Sequence, residues 1–176
     1  MVHELIATLW GLFGQLQMRQ HVDSNWDHRV KKVTVISDYA AHAPKVWALA
    51  TDYGALAKIM KGIATFDVLP SGRTKTGQRM DVMVSLFGKL PQQPYFMEVL
   101  ECDDEHMVLR SLERGAGVKS WQHTLTVTKT ETGSRLTDEI EIDAGVLTFA
   151  FALWAKYLYC ARHKPRLRML GERETA

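Results

Sequence analysis

Residues 120–143 read SWQHTLTVTKTETGSRLTDEIEID, and residues 144–163 continue AGVLTFAFALWAKYLYCARH. In the first stretch Trp121, His123, Leu125 and Val127 alternate with Gln122, Thr124, Thr126 and Thr128. After Gly133, Leu136, Asp138, Ile140 and Ile142 alternate with Thr137, Glu139, Glu141 and Asp143. A period of two puts each apolar set on one face of a strand, so His123 and Asp138 are expected to point inward with their apolar neighbours. A tight hairpin around Thr130 to Gly133 sets Leu125 opposite Asp138 and His123 opposite Ile140. His123 and Asp138 are then diagonal neighbours, within reach of each other. The second stretch loses this period. Leu147, Phe149, Phe151, Leu153, Trp154, Tyr157 and Leu158 make a helix that is apolar on most sides, which predicts a helix surrounded by protein.

Working outward, turn residues punctuate further strands near 64–70, 78–87, 94–102 and 107–114, with Ser71-Gly72, Gly88 with Pro91 and Pro94, Asp103-Asp104 and Gly115 to Gly117 between segments. Val30 to Tyr39 is a first strand, rich in β-branched residues. Pro44 opens a short helix through Val46, Trp47 and Leu49. Thr51 or Asp52 caps a second helix through Leu56, Ile59 and Met60, which Gly62 ends. Seven strands joined by short turns predict an antiparallel sheet, because parallel neighbours need long crossovers. The helix at 147–163 is the element long enough to cover that sheet, which gives an α+β class. Pro165 predicts a kink or stop, and the basic run Arg162, His163, Lys164, Arg166 and Arg168 reads as a solvated helix end.

Ahead of this unit, Val2, Leu5, Leu9, Leu12 and Leu16 have the spacing of one helical face, so an amphipathic helix is expected over 1–22 with a polar linker after it. The expected organisation is a helix and linker at 1–28, one domain at 29–170 and a tail at 171–176. The chain has 176 residues, 46% of them hydrophobic, enough for one well-filled core. Lys and Arg number 22 against 20 Asp and Glu; a net charge of +2 makes no field that would recruit nucleic acid. Two cysteines without a secretion signal read as reduced thiols, and neither apolar stretch is long enough to span a membrane, so the expected compartment is cytoplasmic. No nucleotide loop, nucleophile elbow or metal-ligand spacing is present, so no cofactor and no metal is expected.

Two stretches together resemble the SRPBCC superfamily, the START-like helix-grip proteins. One is Ala43-Pro44-Lys45-Val46-Trp47-Ala48-Leu49 with Asp52. The other runs from Trp121-Gln122-His123 through Gly133 to Ile142 and on to Arg162-His163-Lys164. The resemblance covers roughly 30–170. It implies a curved seven-stranded antiparallel sheet wrapped around a long C-terminal helix, with two short helices after the first strand. It also implies a hydrophobic or amphipathic ligand, such as a lipid, quinone, isoprenoid or polyketide-like compound, although the superfamily includes cyclase and dehydratase enzymes beside carriers.

Candidate ligand-binding residues are Met83, Phe87, Tyr95, Met97, Arg110, Trp121, Phe151, Trp154 and Leu158. Arg110 is offered as an anion-binding group or as a solvent-facing one. His123 and Asp138 are the candidate catalytic pair: a carboxylate beside an imidazole orients the ring for proton transfer. The same pair also reads as two buried polar groups that satisfy each other. Three functions stand: a carrier, a cofactor-independent cyclase or dehydratase, and an interaction module docking through 1–22 onto a partner protein, a second copy or a membrane surface.

Overall fold

The computed structural model describes residues 30–171. The helix expected over 1–22 lies outside the described residues. Strand β1 (Lys31–Tyr39) leads into helices α1 (Ala43–Ala50) and α2 (Tyr53–Ile59). Six strands follow: β2 (Ala64–Phe66), β3 (Arg79–Leu86), β4 (Gln93–Asp103), β5 (Val108–Gly115), β6 (Val118–Thr130) and β7 (Gly133–Asp143). A single 3-10 turn (Gly145–Leu147) then enters α3 (Thr148–Ala161), and α4 (His163–Leu170) closes the described chain.

The strands form one curled antiparallel sheet in the order β1-β7-β6-β5-β4-β3-β2. The register of the β6–β7 hairpin is as the alternation predicts: Leu125 faces Asp138 and His123 faces Ile140. Gly133 opens β7 where the chain passes close to the end of β1. A Cβ at this position would stand 2.1 Å from the Tyr39 carbonyl oxygen, so only glycine fits. Gly115 plays the same part between β4 and β5, where a Cβ would meet the Pro94 carbonyl at 2.3 Å.

Local chemistry explains the other boundaries. Pro44 occupies the first turn of α1, where its missing N–H is no loss. Asp52, one of the two expected caps, starts α2 by accepting the Ala55 amide at 2.7 Å. β2 is shorter than the expected 64–70. Its ladder ends at Asp67, whose carboxylate takes the Met83 amide at 2.8 Å in place of a main-chain carbonyl.

The core lies between the concave face and α3. Ile140, Ile142 and Ala155 are fully buried in one cluster with Trp154, Leu158 and Tyr159 of the helix, while Leu136 is buried in a second cluster with Trp47 of α1 and Leu167 and Leu170 of α4. Each large side chain buried this way contributes about 1.5–3 kcal/mol.

The kink expected from Pro165 is present: the long C-terminal helix breaks at Arg162, between α3 and α4. Pro165 cannot donate to the Ala161 carbonyl, and its ring crowds that oxygen, so the chain bends there and resumes as α4. The expectation that protein surrounds α3 needs correction for the described residues: a single sheet covers one side of a helix, and Phe149 and Leu153 remain 66% and 51% exposed. Among the described residues, no helix is long and apolar enough to cross a membrane.

Candidate functional site

Between the sheet, α2 and α3 is a cavity of about 150 Å³. Its walls come from three directions. Leu56 and Ile59 of α2 stand at one end, Tyr95, Met97 and Val99 of β4 form the floor, and Phe151, Trp154 and Leu158 of α3 form the roof. The lining is mostly apolar, with a polar group gathered where β5, β6 and the end of α3 meet.

β5 supplies Ser111 and Glu113 to that polar end. Both are buried, and both share a strand face with Leu109. The Ser111 hydroxyl donates to Glu113 Oε1 at 2.8 Å, while the Tyr95 hydroxyl donates to Glu113 Oε2. Burial, joined by the Glu113 charge, pushes the Tyr95 phenol well above its ordinary range, so Tyr95 remains a donor. Ser111 lies directly across from His123 in the β5–β6 ladder, which places the acid cluster beside the imidazole.

His123 of β6 lines the cavity, and Asp138 of β7 sits behind it with no exposed surface. The His123 Nε2 to Asp138 Oδ1 distance is 2.8 Å, and Arg166 of α4 donates to the other carboxylate oxygen at 3.3 Å. Burial alone would raise the Asp138 carboxyl. The Arg166 charge and the His123 contact outweigh it, so Asp138 is held below the usual carboxylate range and stays ionised. Arg166 is shifted by the same balance in reverse: burial opposes its charge, and Asp138 more than restores it. The His123 ring packs at 4.9 Å from the Tyr159 ring, and the Arg162 guanidinium covers Tyr159 at 4.2 Å. Burial raises the Tyr159 phenol above its ordinary value. Among the described residues, the indole nitrogen of Trp121 and Nε of Arg162 are buried without a hydrogen-bond partner, although both residues line the cavity.

Six of the nine ligand-binding candidates line this cavity: Tyr95, Met97, Trp121, Phe151, Trp154 and Leu158. Three do not, and the reasons are local. Arg110 has the opposite parity to Ser111 and Glu113; its side chain is 59% exposed and pairs with Glu101 at 3.1 Å. Met83 falls between the inward Val82 and Val84, so it lies in an outer groove with Phe96 and Arg114. Phe87 is beyond the end of β3 with φ of 56°, where it meets Trp154 edge-on at 5.8 Å outside the cavity lining.

The basic run is also corrected. Arg166 is 4% exposed and anchors Asp138, so it is no solvated helix end. Glu113 and Ser111 were not singled out from the sequence, yet their two-residue spacing from Leu109 carries the signal. Arg166 had no such signal, because a kink or stop at Pro165 just before it leaves the facing of the next residue unspecified.

Neither a family model nor a curated protein matches the sequence. Solved structures do. Protein Ms6760 from Mycobacterium smegmatis superposes with a TM-score of 0.65 at 15% identity, covering 88% of this chain and 99% of that one. Norcoclaurine synthase from Thalictrum flavum gives 0.60 at 16% identity, covering 88% and 96%. A Chromobacterium violaceum protein, CV1439, gives 0.63 at 16% identity, covering 79% and 96%. The fold is a helix-grip fold. At these identities the likeness establishes the architecture and nothing of the chemistry.

Proposed function

We propose that this chain binds a small, mainly apolar molecule in the cavity between sheet and α3. The observation that carries the reading is the cavity itself: about 150 Å³, walled by aromatic and aliphatic groups, with hydrogen-bonding side chains at one end. Apolar burial drives binding in such a site, and a few polar groups orient the guest. A cavity of roughly 150 Å³ accommodates a benzene-sized molecule. The guest that suits this space is therefore one ring or one short isoprenoid unit, or the end of a longer amphipathic molecule, rather than a whole acyl chain or quinone tail.

The test is native mass spectrometry of gently purified protein for a co-purifying small molecule, followed by titration of single-ring hydrocarbons and phenols monitored by tryptophan emission. Trp121 and Trp154 both face the cavity and should report occupancy. Absence of any co-purifying mass, together with no change in emission up to millimolar ligand, would remove the proposal.

A second reading has its own observation. His123 faces the guest, while Asp138 is buried behind it and held by Arg166. A base oriented by a carboxylate is the arrangement used for proton transfer. In this reading His123 exchanges a proton with the bound molecule, Asp138 fixes the ring's orientation, and the apolar walls exclude competing water, as in a cofactor-independent cyclase or dehydratase. Incubating the purified ligand with protein and following its mass and isomer composition tests it. If turnover is seen and persists in both His123→Ala and Asp138→Asn, this assignment is wrong.

A further inference from the structure

Two donors on the cavity wall have no acceptor among the described residues. The Trp121 side chain is 4% exposed, yet its indole N–H has no hydrogen-bond partner there. Nε of Arg162, also buried on that wall, is in the same condition. Both side chains pack against Tyr159: the Trp121 ring is stacked at 6.4 Å between centroids, and the Arg162 guanidinium lies 4.2 Å from the ring centre. Buried donors are nearly always met by an acceptor, because an unmet one keeps the full cost of its lost hydration. These two stand where a guest would touch them, so the guest is the natural source of the acceptor.

The carboxylates at this end of the cavity are already engaged. Glu113 accepts from Ser111 through Oε1 and from Tyr95 through Oε2. Asp138 is held by His123 at Oδ1 and by Arg166 at Oδ2. Arg162 makes no ion pair among the described residues, its guanidinium lying over the Tyr159 ring.

Charge and proton count decide the kind of acceptor. Asp138 is matched by Arg166, so the charges left around Tyr159 are Glu113 and Arg162, one of each sign. A carboxylate guest would be a second anion near Glu113, and an ammonium guest a second cation near Arg162; such repulsion is strong where water is excluded. A hydroxyl brings a proton of its own, for which no carboxylate oxygen here is unengaged. A carbonyl oxygen is neutral, donates nothing and has two lone pairs for two donors.

We propose, on the reading that the cavity holds a guest, that the guest is a cyclic carbonyl compound whose oxygen is received by the Trp121 indole and Arg162 at the Tyr159 end. The ring then fills the apolar part of the cavity, and the oxygen fixes which end faces His123.

Calorimetric titration of the full chain uses two probes of one shape, cyclohexanone and methylenecyclohexane, which differ only in C=O against C=CH2. Each is compared across variants, because the hydration of the ketone weakens its transfer from water. Trp121→Phe keeps an aromatic ring without the N–H, and Arg162→Met keeps an unbranched chain without the guanidinium; circular dichroism checks that both fold. In either variant cyclohexanone should lose at least about tenfold more affinity than methylenecyclohexane, a factor equal to about 1.4 kcal/mol. Infrared difference spectra on wild type need no variant: the carbonyl stretch of bound cyclohexanone should lie well below its position in hexane, as it does in water. Equal losses for the two probes, or a hexane-like stretch, would overturn the carbonyl assignment and leave the apolar cavity in place. Benzoate binding more than about tenfold tighter than cyclohexanone would overturn it too, by making the guest an anion. If neither ring binds wild type, the cavity reading itself falls, and this proposal with it.

Discussion

Replacing Arg166 with methionine keeps most of the side chain's volume and removes its charge from beside Asp138. Asp138 has no exposed surface, and its other polar partner is His123 at 2.8 Å, so the change leaves a buried carboxylate facing an imidazole alone. Breaking a buried ion pair from one side costs about 3–5 kcal/mol. Domains of 150–250 residues lose roughly 2–4 °C per kcal/mol, so the melting temperature should fall by about 6–20 °C. Chemical denaturation at pH 7, with an unchanged m-value, measures the loss directly. The double variant Arg166→Met with Asp138→Asn should regain most of it, because a neutral amide tolerates the site without a cation. The pH dependence has a definite sign. Asp138 titrates lower in the fold than in the unfolded chain, so its contribution is complete above about pH 4 and is lost as pH falls through the depressed folded value. The gap between wild type and Arg166→Met should accordingly narrow on acidification below about pH 4. A loss under 1 kcal/mol at pH 7, or a double variant no more stable than the single, would refute the account of Arg166 as the counter-ion that keeps Asp138 ionised.

Gly133→Ala should prevent normal folding or destabilise by more than about 4 kcal/mol, since its Cβ would collide with main-chain atoms at 2.1 and 2.8 Å; soluble yield and thermal melting read the effect. Tyr95→Phe removes one of the two hydroxyls that donate to the buried Glu113, so denaturation should show a loss of about 1.5–3 kcal/mol, larger than for a neutral pair. Arg110→Ala should shift stability by less than about 0.5–1 kcal/mol and leave tryptophan-monitored ligand titrations unchanged, because its ion pair with Glu101 is on the outer surface.

The β6–β7 hairpin was legible because both strands obey a strict period of two and Gly133 stands at their joint. That same period places His123 and Asp138 on one face, and the hairpin length then brings them within hydrogen-bonding distance. On β5 the apolar Val108, Leu109 and Leu112 share no single parity, so the strand alternates poorly in sequence; only the parity of Leu109 links Ser111 and Glu113 to the inner face, and it turns Arg110 outward. Phe87 escaped such reasoning because it follows the last residue of a strand, where parity no longer applies. The helix was harder. Apolar residues all round α3 look the same in sequence whether the second side meets a sheet, another segment or solvent, so the exposure of Phe149 could only come from coordinates. Arg166 was hidden by Pro165, since a proline marks a break without saying in which direction the chain resumes.

β1 occupies one edge of the sheet and has β7 as its neighbour, so the ion pair between Asp38 and Arg135 joins positions 97 residues apart. During synthesis at about 5–20 residues per second, the first strand waits roughly 5–20 seconds for its partner to leave the ribosome. Until then its apolar Val33 and Val35 have no lasting cover, and the intervening strands can join only as a sheet whose floor lacks its roof. The nascent chain is thus open to wrong pairings for much of its translation, and the roof can close only after α3 has left the ribosome.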